Sequence, residues 1–198
     1  MKSVIWYAVG LLLCVSLLAV LPLSGEEKIY DDVVRLHILA NSDTEEDQAC
    51  KLAVRDAILS AYGEVLSCGS EGEAEERVRA LMPKIKELSE QTLRARGKEE
   101  QVTLVFGDEK YPERTYGDLR FPAGTYHSLR ILIGEGAGKN WWCVLFPPLC
   151  VGAATGEEIL PAVPEEAPCG MEEGAWRLVS ESGKYEIRFR VLEWLYGE

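Results

Sequence analysis

The chain has 198 residues, enough for a leader plus one domain of ordinary size. Its 47% hydrophobic and 9% aromatic residues suit a packed core and exclude global disorder. The formal net charge of -12 argues against nucleic-acid binding and against charge-driven docking on anionic lipid, since both draw on Lys and Arg.

The first 25 residues stand apart. After Lys2, residues 4–23 are apolar, and about 20 such residues at about 1.5 Å each just cross a bilayer core. The cationic start and the acidic Glu26, Glu27, Asp31 and Asp32 place the N-terminus inside and the remainder outside. Small residues are poorly placed for cleavage near Ser24 and Gly25, so the segment reads as a signal peptide or a retained anchor. Export permits disulfides among Cys50, Cys68, Cys143, Cys150 and Cys169, and an odd number leaves one thiol free or bridged between chains. There is no C-x-x-C pair and the two histidines are far apart, so neither a metal site nor a cofactor is expected.

From Val34 the chain alternates. Val34, Leu36, Ile38 and Ala40 face one way and Arg35, His37 and Leu39 the other, the period of a half-buried strand. Asn41, Ser42 and Asp43 end it, and Ser42 with Glu45, or Asp43 with Glu46, forms a capping-box pattern. A helix to about residue 65 follows, with Cys50, Val54, Ala57, Ile58 and Ala61 on one side and Glu45, Lys51 and Arg55 toward water. A second helix spans residues 73–96, interrupted by Pro83 and stopped by Gly97.

The period returns to two at Val102, Leu104 and Phe106, with Gly107-Asp108 as a turn signal and residues 111–116 as a returning edge strand. Residues 127–133 form another strand. The glycine-rich 134–140 lacks Walker and dinucleotide spacing and reads as a hairpin connection. Residues 141–146 are apolar on both alternating sets, like a strand covered on both faces, and Pro147-Pro148 ends it. Tyr185, Ile187, Phe189 and Val191 alternate in a last strand.

These elements predict an α+β domain, a mostly antiparallel sheet packed against two long helices and preceded by the N-terminal hydrophobic signal or anchor segment. The organisation is a leader over 1–25, a main domain over 26–150, a flexible Gly/Pro/Glu-rich segment over 151–183, and a C-terminal strand over 184–198 that returns to the main domain.

The run NWWCVLFPPLC admits three readings: a buried strand, a stapled contact loop, and a cysteine site. Cys143 and Cys150 are disulfide candidates only if the chain folds back, because an extended chain holds their Cα atoms over about 20 Å apart and a bridge needs roughly 4.4–6.8 Å. A nucleophilic Cys143 would need His127 or His37 as its base.

Two blocks, RLHILANSDTEEDQACKLAVRDAIL and FPAGTYHSLRILIGEGAGKNWWCVLFPPLC, resemble the stage II sporulation protein R family of endospore-forming bacteria. The resemblance implies a protein that is not an enzyme. It would be made in the forespore and exported to the space between two membranes, secreted or held by its N-terminal segment. There it would activate a membrane-embedded aspartic protease of the mother cell, which processes pro-sigma factor E. The alternative is an extracytoplasmic cysteine hydrolase acting on the cell envelope. Candidate partner-binding residues come from the two blocks: His37, Asn41, Ser42 and Asp43 at the strand-to-helix corner, and Trp141, Trp142, Phe146, Pro147, Pro148 and Leu149 in the aromatic run. No catalytic residue is assigned.

Overall fold

In the computed structural model of the chain the described residues are 6–7, 9–12, 14, 26–66, 71–116, 118–147, 167–168 and 171–181. Helix α1 (Glu26–Asp31) leads into strand β1 (Val34–Leu39). Helices α2 (Glu45–Leu66) and α3 (Glu71–Arg94) follow, then strands β2 (Val102–Tyr111), β3 (Arg114–Tyr116), β4 (Leu119–Phe121), β5 (Gly124–Ile133) and β6 (Asn140–Phe146), and helix α4 (Glu173–Glu181).

The fold is α+β, but its four-stranded sheet is mixed, in the order β2-β5-β1-β6. β2 pairs with β5 and β6 with β1 antiparallel, whereas β1 and β5 run parallel. Residues 34–38 of β1 are all buried, and a strand covered on both faces belongs in the middle of a sheet. That insertion overturns the expected hairpin: β5 and β6 flank β1 and do not pair. The turn expected at Gly107-Asp108 is also absent, because continuous pairing with β5 carries β2 through to Tyr111. β3 and β4 pair as a separate small ribbon.

The long helices cover one face of the sheet. Cys50, Val54 and Ile58 of α2 and Val78, Ile85 and Leu93 of α3 pack on Leu36, Ile38, Leu129, Ile131 and Val102. Each fully buried aliphatic side chain contributes roughly 1.5–3 kcal/mol. Pro83 lies within α3. Gly97, at φ 75°, closes that helix: the Lys98 N–H donates to the Leu93 carbonyl and the Gly97 N–H to the Arg94 carbonyl, the paired bonds of a Schellman motif.

A second cluster covers the opposite face. Ile29 and Val33, Leu119 and Phe121 of the ribbon, and Ala175, Trp176 and Val179 of α4 close over Tyr111, Tyr126 and Val144. Thus α4 rises inside the stretch that composition marks as flexible, because its apolar residues share one buried stripe. The expected C-terminal strand, Pro148, Leu149 and most of the leader lie outside the described residues. Among the described residues no helix is long and apolar enough to cross a membrane.

Loop 134–139 lies against the corner that follows β1. A Cβ on Gly138 would overlap the Ser42 carbonyl, and one on Gly134, at φ +57°, would overlap the Asn41 amide. The glycines therefore serve close backbone approach. Gly138→Ala should cost about 1–3 kcal/mol, read by chemical denaturation. Gly63→Ala, inside α2 with open space around its Cβ, should instead gain about 0.5–1 kcal/mol. Equal midpoints for the two variants would refute this account of the loop.

Candidate functional site

The corner is built around Asp47. Thr44 caps α2, its Oγ1 accepting from the Asp47 N–H at 3.3 Å. This corrects the capping pairs expected at Ser42 and Asp43, whose side chains are used elsewhere. Ser42 Oγ donates to Asp47 Oδ2 at 2.6 Å, and Asn41 Nδ2 donates to the same oxygen at 3.0 Å. Lys98 Nζ donates to Asp47 Oδ1 at 3.0 Å. Asn41 Oδ1 accepts from the Glu135 N–H and Asp43 Oδ1 from the Lys139 N–H, at 3.1 and 2.7 Å. Bonds from Ser42, Lys98 and Asn41 hold the Asp47 carboxyl at about 2, against an ordinary 3.8. Lys51, expected in water, is only 4% exposed; its ammonium donates to Gln48 Oε1 and to the Lys139 carbonyl. Burial pushes its pKa down. In the folded chain Asn41 and Asp43 fasten the loop to the corner, while the Ser42 hydroxyl is spent inside the corner on Asp47.

His37 belongs to a different constellation. The β1 alternation turns Arg35 and His37 away from the long helices, and the register sets His37 beside Arg130 and Trp142. His37 Nδ1 donates to Glu109 Oε1 at 2.8 Å, and its Nε2 lies 2.8 Å from Asn140 Oδ1. Burial pushes the Glu109 carboxyl up, but hydrogen bonding led by His37 outweighs it and leaves a net lowering. Arg130 Nη1 lies 3.6 Å from Glu109 Oε1. Trp142 stacks near His37 at 5.4 Å between ring centroids and carries the Arg114 guanidinium 4.0 Å above its ring.

Arg35 is fully buried beneath this surface. Its guanidinium carbon lies 4.4, 5.1, 5.3 and 5.6 Å from the ring centres of Tyr111, Tyr126, Phe121 and Tyr116. Nη2 donates to Tyr116 Oη at 2.8 Å, while Nε and Nη1 have no partner. Tyr111 donates to or accepts from Ser128 Oγ at 2.7 Å, and burial raises its phenol pKa. Glu109, Arg114, Arg130 and Tyr116 were not singled out in the sequence. The signal for Glu109 was its common parity with Tyr111, hidden by ending β2 at Gly107.

The aromatic run divides between the two faces. Trp141 points to the helices, with the Arg55 guanidinium 5.2 Å from its ring, and Trp142 to the polar face. A bulge opposite Val34/Arg35 pairs Phe146 with Val34, so Phe146 joins the helix-side core. Phe146 is fully buried, Pro147 is buried, and the bond between them is cis. A contact surface on β6 would therefore be carried by the partly exposed Trp141 and Trp142. Cys143 is buried and disulfide-bonded, its partner lying outside the described residues together with Cys150. β1 separates Cys143 from β5, so the approach of His127 to Cys143 across a hairpin does not occur. His127 pairs with Glu75 of α3 instead. Among the described residues no group of three or more His, Cys, Asp or Glu is placed to hold a metal. An open groove of about 460 Å³ lined by Lys86, Glu90, Arg94, Glu99, Glu100 and Gln101 carries charges of both signs and shares no residue with these sites.

This α+β domain with a tied corner and a polar, aromatic sheet face has relatives. The sequence profile of stage II sporulation protein R matches residues 30–155. The chain is 32% identical over 182 residues to stage II sporulation protein R of Bacillus subtilis (strain 168), covering 84% of this chain and 81% of that one. The chain belongs to the stage II sporulation protein R family. No solved structure matches it.

The Asp47 arrangement fixes an acid response. Its carboxyl ionises more readily in the folded chain than in the unfolded one, so the stability it adds is present above about pH 4 and is lost as pH falls through about 2. Melting temperature measured across this range should drop in the native chain. Asp47→Asn should start lower and show a shallower acid limb; an unaltered limb would place the acid sensitivity elsewhere.

Proposed function

We propose that the chain is an exported sporulation signal. It leaves the forespore for the intermembrane space and meets the outer loops of a membrane-embedded aspartic protease of the mother cell. It favours the protease's active arrangement, and the pro-form of sigma factor E is then cleaved. The observation that carries this reading is the identity with the Bacillus subtilis relative across most of both chains. The bridged, buried Cys143 supports recognition over nucleophilic chemistry, since a thiolate is what a cysteine enzyme requires. The contact surface is the His37–Trp142 face.

Activation by contact has an energetic requirement. The signal must bind the active arrangement more tightly than the resting one; taking a 1:99 resting population to 99:1 needs a preference of about 10⁴, about 5.5 kcal/mol. One buried aromatic and a few charge-assisted bonds are the kind of interaction that supplies it.

The test is reconstitution of the purified full chain with the protease and pro-sigma factor E in a membrane. Cleavage should appear on addition of the chain. Cys143→Ser should still trigger it at temperatures where the variant stays folded, although losing the bridge costs about 2–5 kcal/mol of stability. Absence of cleavage with folded native chain would refute the signalling role, and complete loss in a folded Cys143→Ser variant would restore the hydrolase.

A further inference from the structure

In a chain of net charge -12, three arginines gather on the sheet face away from the long helices. Arg35, Arg114 and Arg130 all keep buried N–H groups without a partner there: Nε and Nη1 of Arg35, Nε of Arg114 and Nε of Arg130. The carboxylate among them is Glu109, shared with His37 and Arg130, and its Oε2 also lacks a partner. Fully buried, Arg35 adds an uncompensated positive field under the surface. Arg114 and Arg130 are partly exposed and stand on either side of Trp142 and His37. The buried donors mark how little of this positive charge the fold itself satisfies, and the outer guanidinium nitrogens of Arg114 and Arg130 are the ones that a ligand's acceptors can reach.

We propose that this face docks an acidic segment of a partner protein, placing carboxylates on Arg114 and Arg130 and the adjoining backbone on Trp142. The proposal rests on the reading that the His37–Trp142 face is the contact surface, and adds the chemistry of what it meets. A peptide fits better than phosphate because its backbone can lie against Trp142 while its carboxylates meet the arginines, whereas a phosphate brings mainly acceptors. A flat anionic bilayer fits worse still, since the rest of the molecular exterior is acidic.

The full chain in detergent micelles is titrated against a fluorophore-labelled hexaglutamate peptide, with inorganic phosphate and vesicles containing anionic lipid as comparison probes. Saturable, salt-sensitive peptide binding is expected, weakened at least about fivefold in Arg114→Gln and in Arg130→Gln, the order of one charge-assisted contact. Lys86→Gln, on α3, should bind as the native chain does. Equal binding by the arginine variants, or tighter binding to vesicles or phosphate than to peptide, overturns the proposal. Should both arginine variants still trigger full cleavage in reconstitution, the acidic-docking inference falls and the signalling role stands. Arginine-dependent peptide binding by a native chain that triggers no cleavage supports the docking chemistry while removing the signalling role.

Discussion

Loop 134–139 must pass over the end of β1, because β5 and β6 flank β1 on its two sides. A connection of that kind gains nothing from cross-strand pairing and has to be held by other bonds. The Gly138 N–H donates to the Ala40 carbonyl and the Ala137 N–H to the Asn41 carbonyl. The Asn41 and Asp43 side chains take up two more backbone N–H groups of the loop. Asp47 then fixes Asn41 and Ser42, and Lys98, just past the end of α3, fixes Asp47. One carboxylate thereby links β1, α2, the α3 terminus and the β5–β6 loop. The tie also sets the start of β6 at Asn140, and so brings Asn140 and Trp142 beside His37. Site geometry at the polar face is inherited from hydrogen bonds at the corner.

The polar face has its own energetic logic. A guanidinium taken wholly out of water is expensive, and Arg35 has no carboxylate partner among the described residues. Four aromatic rings offset part of the cost through their electron-rich faces, each worth about 0.5–2 kcal/mol when desolvated. Two of those rings, Tyr116 and Phe121, come from the β3–β4 ribbon, which the Arg35–Tyr116 bond ties to the central strand. The ribbon is too short to be stable alone, so its position depends on that arginine and on the apolar cluster below it.

Much of this was legible where a single period rules. The alternation at Val34, Leu36 and Ile38 marked the helix-facing side of β1, and Gly97 marked the end of α3, because strand pleat and left-handed backbone are local properties. Strand order was not legible. Alternation states which residues share a face and is silent on which strands are neighbours, so a glycine loop between two strands read as a hairpin. Thr44 was missed as the cap because Ser42 and Asp43 have equal capping chemistry, and only the tertiary contacts show that Ser42 is spent on Asp47 and Asp43 on the loop. Lys51 misled for the same reason: its helical position looks exposed until loop 134–139 covers it. Of the candidate residues, His37 and Trp142 fall together on one face, whereas Phe146 is taken into the core by a bulge that no residue pattern announces.

Charge placement connects the fold to the proposed role. A strongly acidic exterior keeps a domain from adhering to acidic surfaces in general, and so leaves few orientations in which it can meet an acidic partner. Three arginines concentrated on one face reverse the sign there, so the same net charge that repels elsewhere would orient an encounter at Trp142. Such selectivity requires that the basic groups stay clustered and are not neutralised by the chain's own many carboxylates. The β1 register meets that requirement for Arg35, which it places at the sheet centre without a carboxylate partner among the described residues. Glu109 serves His37 and Arg130 at one oxygen and leaves Arg35 unpaired. The buried cation that looks like a defect in the folding of this domain is therefore the feature that keeps the face positive.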